Sequence, residues 1–150
     1  MNLPKTILVA TDFSESAGRA FDYAAALAEK LGAKLHLLHV ISVPMIGVPE
    51  IGVAVIASTM ESTVQTSQAE LDRLAAPCGP ARVETLLRTG DARDVIVDVA
   101  KELGIELIVM GTHGRRGVRR ALIGSIAEGV LRTAPCPVLT IRDVGPANHA

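Results

Sequence analysis

Aromatic side chains are almost missing from this chain. Phe13, Phe21 and Tyr23 are all there are, and there is no tryptophan. Modules that hold sugars or single-stranded nucleic acid by stacking need aromatic platforms, so the scarcity argues against both. The core has to come from alanine, valine, isoleucine and leucine. Cysteine is scarce too. Cys78 and Cys136 form no Cys-x-x-Cys pair, and both read as free thiols of a reducing compartment. A membrane span needs about 20 predominantly apolar residues. The nearest approach, 43–60, is broken by Pro44, Pro49, Glu50 and two glycines and reads as an apolar loop running into a helix. The apolar run Ile7–Ala10 before Thr11 and Asp12 is too short for a secretory signal. A cytoplasmic protein without a membrane segment is expected.

What is present fits an ordinary folded domain. The chain has 150 residues, 49% hydrophobic and 21% charged, which excludes disorder as the main state. One domain over 1–150 is expected, with the tail from Asp143 frayed. The formal charge is −1, so the whole molecule is not built to bind polyanions. Its distribution is uneven. Between Leu107 and Ala127 lie Arg115, Arg116, Arg119 and Arg120 and no acid. A focused positive patch on an acidic body suits a small anion better than a long nucleic acid.

Local patterns alternate. Lys5–Ala10 is a run of strand formers without polar alternation, as in a strand buried on both faces. Capping residues Asp12, Ser14 and Glu15 follow. Ala17, Ala20, Phe21, Ala24, Leu27, Ala28 and Leu31 then trace one helical face, and Gly32 stops it. A second strand is expected over Lys34–Ile41 and a helix over about Ala57–Ala75, with Met60, Val64, Leu71 and Leu74 inward. The third strand is Arg82–Arg88, and Asp91 caps a helix ended by Gly104. The fourth strand is Ile105–Met110. After a glycine- and arginine-rich loop, Ser125-Ile-Ala-Glu128 has capping-box spacing, which makes Ser125 the expected cap. Pro137–Arg142 is the last strand. The order βαβαβαβαβ predicts a mostly parallel open α/β sheet with helices on both faces.

Such sheets bind ligands beyond the carboxyl ends of their strands, and the unusual residues fall there. The first strand ends in Thr11-Asp12, the fourth in Gly111-Thr112-His113-Gly114. Gly124-Ser125 opens a helix, where unpaired N–H groups and the helix dipole favour phosphate. A tight turn before an ordinary capped helix explains the same residues equally well. Asp12 suits ribose hydroxyls or an adenine amino group, or it simply caps the first helix. His113 either meets phosphate or packs on the loop. Arg115, nearest the glycines, is expected to contact phosphate, and Arg119 and Arg120 to face solvent or a partner. His36 and His39, three apart on a strand, point to opposite faces and cannot share a metal. Neither a Walker Gly-Lys-Ser/Thr nor a Gly-x-Gly-x-x-Gly occurs.

The spacing that does occur, Gly111-x-x-Gly114, nine residues, Gly124-Ser125, resembles the nucleotide-binding pattern of ATP-binding universal stress proteins. Ile7-Leu-Val-Ala-Thr-Asp-Phe-Ser, Leu107-Ile-Val-Met-Gly-Thr-His-Gly and Ala134-Pro-Cys-Pro-Val-Leu-Thr-Ile look like that family's first, fourth and closing strands. The likeness covers about Leu3–Arg142 and is weakest over 42–80. It implies a Rossmann-like five-stranded sheet in the order 3-2-1-4-5. It implies adenine and ribose near Ala10, Thr11, Asp12 and Val40. Phosphates would lie against Gly111, His113, Gly114, Gly124, Ser125 and the backbone of Ile126, with Mg²⁺ or Mn²⁺ across them. One departure is Ala127, where some nucleotide-bound relatives carry a hydroxyl.

The function implied is a nucleotide-dependent regulatory, stress-response module that binds ATP or a related adenine nucleotide and acts on a downstream protein partner. Slow ATP hydrolysis or self-phosphorylation is the enzymatic alternative, and a nucleotide-free interaction role a third. No residue stands out as a general base beside the cradle. A homodimer is expected through the last strand, Val138-Leu139-Thr140-Ile141, an apolar edge that needs a cover.

Overall fold

The computed structural model describes residues 2–43, 52–113 and 123–142. The chain order is β1 (Thr6–Thr11), α1 (Glu15–Leu31), β2 (Lys34–Ile41), α2 (Val53–Ala75), a 3₁₀ turn (Ala76–Cys78), β3 (Val83–Thr89), α3 (Ala92–Glu102), β4 (Leu107–Gly111), α4 (Ser125–Thr133) and β5 (Val138–Ile141). All paired strands are parallel, in the order β3-β2-β1-β4-β5. This is the expected topology. It puts β1 and β4 side by side, with Ile7 opposite Leu107 and Val9 opposite Val109.

The missing polar alternation in the strands follows from burial on both faces. On one face Ile7, Val9, Leu35, Leu37 and Val109 pack with Ala20, Phe21 and Ala24 of α1 and Leu71 of α2. On the other, Leu8, Leu38, Ile108 and Met110 pack with Ile96 and Val99 of α3 and Ala127 and Val130 of α4. Each fully buried leucine or isoleucine contributes roughly 1.5–3 kcal/mol. Alanine-rich α1 lies close to the central strands because its buried face carries few bulky groups.

Several boundaries differ from expectation. β1 runs through Thr11 and β4 starts only at Leu107. The first turns of α2 start at Val53, and only Ser67, Leu71 and Ala75 of its described side chains are buried. Val64, expected inward, is exposed, and the buried residues of α2 begin only at Ser67. Ser125 is not the cap of α4. Gly124 is, with extended φ −71° and ψ 162° and no side-chain cap bond. The expected roles of Gly114, Arg115, Arg116, Arg119 and Arg120, and the tail from Asp143, lie outside the described residues.

Candidate functional site

The carboxyl end of β1 leads straight into a stitched turn. The Phe13 N–H donates to Thr11 Oγ1 at 3.0 Å, and the Ser14 N–H donates to Asp12 Oδ1 at 2.9 Å. Ser14 caps α1, its Oγ accepting from the Ala17 N–H at 3.2 Å. Phe13 sits at φ +63°, a left-handed conformation that costs a non-glycine residue on the order of 1–3 kcal/mol. Asp12 is therefore not the helix cap. It sits two residues earlier and shapes the turn. Because each carboxylate oxygen has more than one lone pair, accepting the Ser14 N–H does not exhaust it.

β2 supports this turn from the side. His39 is registered opposite Thr11, and its Nδ1 lies 2.7 Å from the Thr11 carbonyl oxygen. Its ring packs against that of Phe13, tilted by 35° at a centroid distance of 4.3 Å. Thr11 is thus buried and engaged at both its hydroxyl and its carbonyl. Ala10 and Val40 pack against the α3–α4 side of the sheet.

β4 supplies the opposite wall. Gly111 ends the strand, and a Cβ there would lie 2.5 Å from Ser16 Oγ and 3.2 Å from the Ser16 backbone. The glycine is needed for α1 to cross β4. Buried Thr112 donates its N–H to the Ile141 carbonyl at 3.2 Å, and its Oγ1 lies 3.0 Å from His113 Nδ1. The Thr112 carbonyl accepts the Gly124 N–H at 2.6 Å. A Cβ on Gly124 would come within 3.0 Å of that carbonyl oxygen. This contact pins the start of α4 to the end of β4. Gly124, at the cap position, has no side chain with which to cap that helix start, and the first N–H groups and dipole of a helix favour an anion. Ala127 points into the core beside Ile108 and Val130, which explains an apolar residue there.

The structure thus brings Ala10, Thr11, Asp12 and Val40 to the ends of β1 and β2. Gly111, His113, Gly124, Ser125 and Ile126 lie at the ends of β4 and the start of α4. Sequence reasoning missed the His39–Phe13 support and the Ser16–Gly111 contact, because neither partner is near in sequence. Among the described residues no group of three or more His, Cys, Asp or Glu could hold a metal ion. No helix among them is long and apolar enough to cross a membrane. Cys78 lies in a groove with Glu29, Lys34 and Arg82 at the amino ends of β2 and β3, on the far side of the sheet from these strand ends.

Comparison with known proteins agrees with this architecture. A universal stress protein of Methanocaldococcus jannaschii is 32% identical over 143 residues, covering 94% of this chain and 84% of the relative. The structure of a universal stress protein from Lactobacillus plantarum superposes with a TM-score of 0.79 at 28% identity, covering 94% of this chain and all of that one. A universal stress protein solved in complex with cAMP shares the fold at 24% identity, with a TM-score of 0.69 over 94% of this chain and 98% of that one. The family model described as "Universal stress protein family" matches residues 4–142. Strand order, loop spacing and overall likeness therefore converge, and the chain belongs to the universal stress protein family.

Proposed function

We propose that this protein is a nucleotide-dependent regulatory module whose ligand is ATP, bound across the carboxyl ends of β1 and β4. The observation that carries this reading is the 2.6 Å bond from the Gly124 N–H to the Thr112 carbonyl. It fastens the start of α4, where N–H groups and the dipole favour an anion, to the end of β4, and β4 is the sheet neighbour of β1, which ends just before Asp12. Asp12, with Ala10, Thr11 and Val40 around it, would take the adenosine end. Gly111, His113, Gly124, Ser125 and the Ile126 backbone would take the phosphates, together with Gly114 and Arg115. Thr11 Oγ1 and its carbonyl already accept from Phe13 and His39, so Thr11 would contribute mainly its shape and, at most, its hydroxyl proton. Mg²⁺ or Mn²⁺ would ride on phosphate oxygens, as Mg²⁺ commonly does at nucleotide sites. The output would be a conformation or a protein contact set by the bound nucleotide.

Mass spectrometry of small molecules released by denaturing the purified protein tests the ligand. Stoichiometric ATP supports the reading, whereas ADP or a phosphorylated chain points to turnover. Calorimetry with ATP and Mg²⁺ tests the site. Asp12→Asn keeps an acceptor for the Ser14 N–H but loses the charge. It should weaken ATP by about tenfold to a hundredfold, since a hydrogen bond to a charged group contributes roughly 1.5–3 kcal/mol. Unchanged affinity in that variant would remove Asp12 from the site. Replacing Gly124 is a poorer test, because its Cβ would strain the Thr112 contact with or without nucleotide.

The same reading includes a homodimer joined through β5. This strand ends the sheet order, and all four of its residues are half-buried. Two copies of such an edge can pair about a two-fold axis.

A further inference from the structure

We infer that His39 is a positioning residue for the nucleotide site, acting through the turn that carries Asp12. The inference rests on the proposed ATP reading for its consequence, but its mechanism stands on contacts within the chain. The Thr11 carbonyl can only accept, so the 2.7 Å contact requires the proton on His39 Nδ1. That excludes the neutral Nε2–H tautomer. The bond ties β2 to the last residue of β1, immediately before Asp12. The Phe13 ring, packed against His39 at 4.3 Å, follows Asp12. His39 therefore grips the turn on both sides of the carboxylate. The grip matters because Phe13 is held at φ +63°, a conformation that relaxes unless its surroundings enforce it. Two further stitches, Phe13 N–H to Thr11 Oγ1 and Ser14 N–H to Asp12 Oδ1, lie within the turn. The bond from His39 links it to a neighbouring strand.

Three variants separate the hydrogen bond from the ring contact. His39→Phe keeps an aromatic ring and loses the donor. His39→Asn loses the ring and puts an amide N–H close to the place of Nδ1. His39→Gln puts its donor one atom too far. Calorimetry with ATP and Mg²⁺ should show about tenfold weaker binding in His39→Phe and His39→Gln, one hydrogen bond's worth. His39→Asn should recover most of it. In nucleotide-free protein, exchange of the Phe13 and Ser14 amides should quicken in His39→Phe and slow again in His39→Asn. The ¹⁵N shifts of wild-type His39 should report a proton on Nδ1. An Nε2–H tautomer, or amide exchange indifferent to the donor, overturns the positioning role. So does wild-type ATP affinity in His39→Phe, or His39→Asn binding no better than His39→Phe. If wild type binds no ATP while amide exchange follows the donor, the nucleotide reading fails and the positioning role stands.

Discussion

Gly111 shows how a residue can satisfy two readings at once. Its place in the Gly-x-x-Gly spacing suggested close approach by phosphate, yet Ser16 already requires the missing Cβ. Gly111→Ala should destabilise the nucleotide-free protein by about 1–3 kcal/mol, as overpacking does. Ser16→Ala in the same chain should return part of that loss, because the shortest contact is to Ser16 Oγ. Urea unfolding of the two single variants and the double variant measures the coupling, and simple additivity would rule the contact out. His36 offers a pH test. It is 4% exposed, and among the described residues its Nδ1 makes no hydrogen bond, the nearest carboxylate oxygen being Glu84 Oε2 at 3.5 Å. Burial, the largest cause, pushes its imidazole below the ordinary value of 6.5, with Glu84 opposing and Lys34 assisting. The unfolded chain therefore takes up this proton more readily than the folded one. The stability from neutral His36 is complete above about pH 6.5 and is lost as pH falls toward the lowered folded value. His36→Leu should flatten the fall in urea midpoint as pH drops below about 6.5. An equally steep acid limb in that variant would refute the assignment.

At the scale of elements, the ends of α1 were legible because their signals are local. Ser14 caps through its own hydroxyl and Gly32 takes φ +64°, both dictated by residue type within one turn. The start of α4 was misplaced by one residue. Ser125 and Glu128 have the spacing of a capping box, but Gly124 is drawn to Thr112 and becomes the cap. That contact spans a loop, and spacing cannot report it. The edge strand yields a sharper test than its apolar sequence allowed. Ile108 and Thr112 donate to the carbonyls of Pro137 and Ile141, so the odd residues of β5 face β4. The backbone groups of Val138 and Thr140 face the open edge. Thr140→Pro would remove an edge donor and should shift light scattering at micromolar concentration from two chain masses toward one. Leu139→Pro would instead cut the β4–β5 ladder inside each chain. A wild-type monomer, or a Thr140→Pro dimer as tight as wild type, would refute the β5 interface.

For the whole molecule, the proposed role is one of holding nucleotide rather than turning it over. The sequence offers neither Walker elements nor an evident general base beside the cradle, so hydrolysis should stay far below about 1 s⁻¹, the lower end of ordinary enzymes. A contaminant-free preparation with turnover at that rate or faster would make this an enzyme. The fold class and the elements were readable from the chain alone because hydrophobic period, caps and glycine stops act over one or two turns. Doubly buried strands show as unbroken apolar runs such as Ile7–Val9, and the spacing of the loop glycines resembles that of the family to which the chain belongs. What only the tertiary structure decided is which distant groups meet. Ser16 beneath Gly111, Gly124 on Thr112, and His39 on Thr11 and Phe13 are set by strand register and helix crossing. Register is a collective result of packing both faces of the sheet, and no single residue's type carries it.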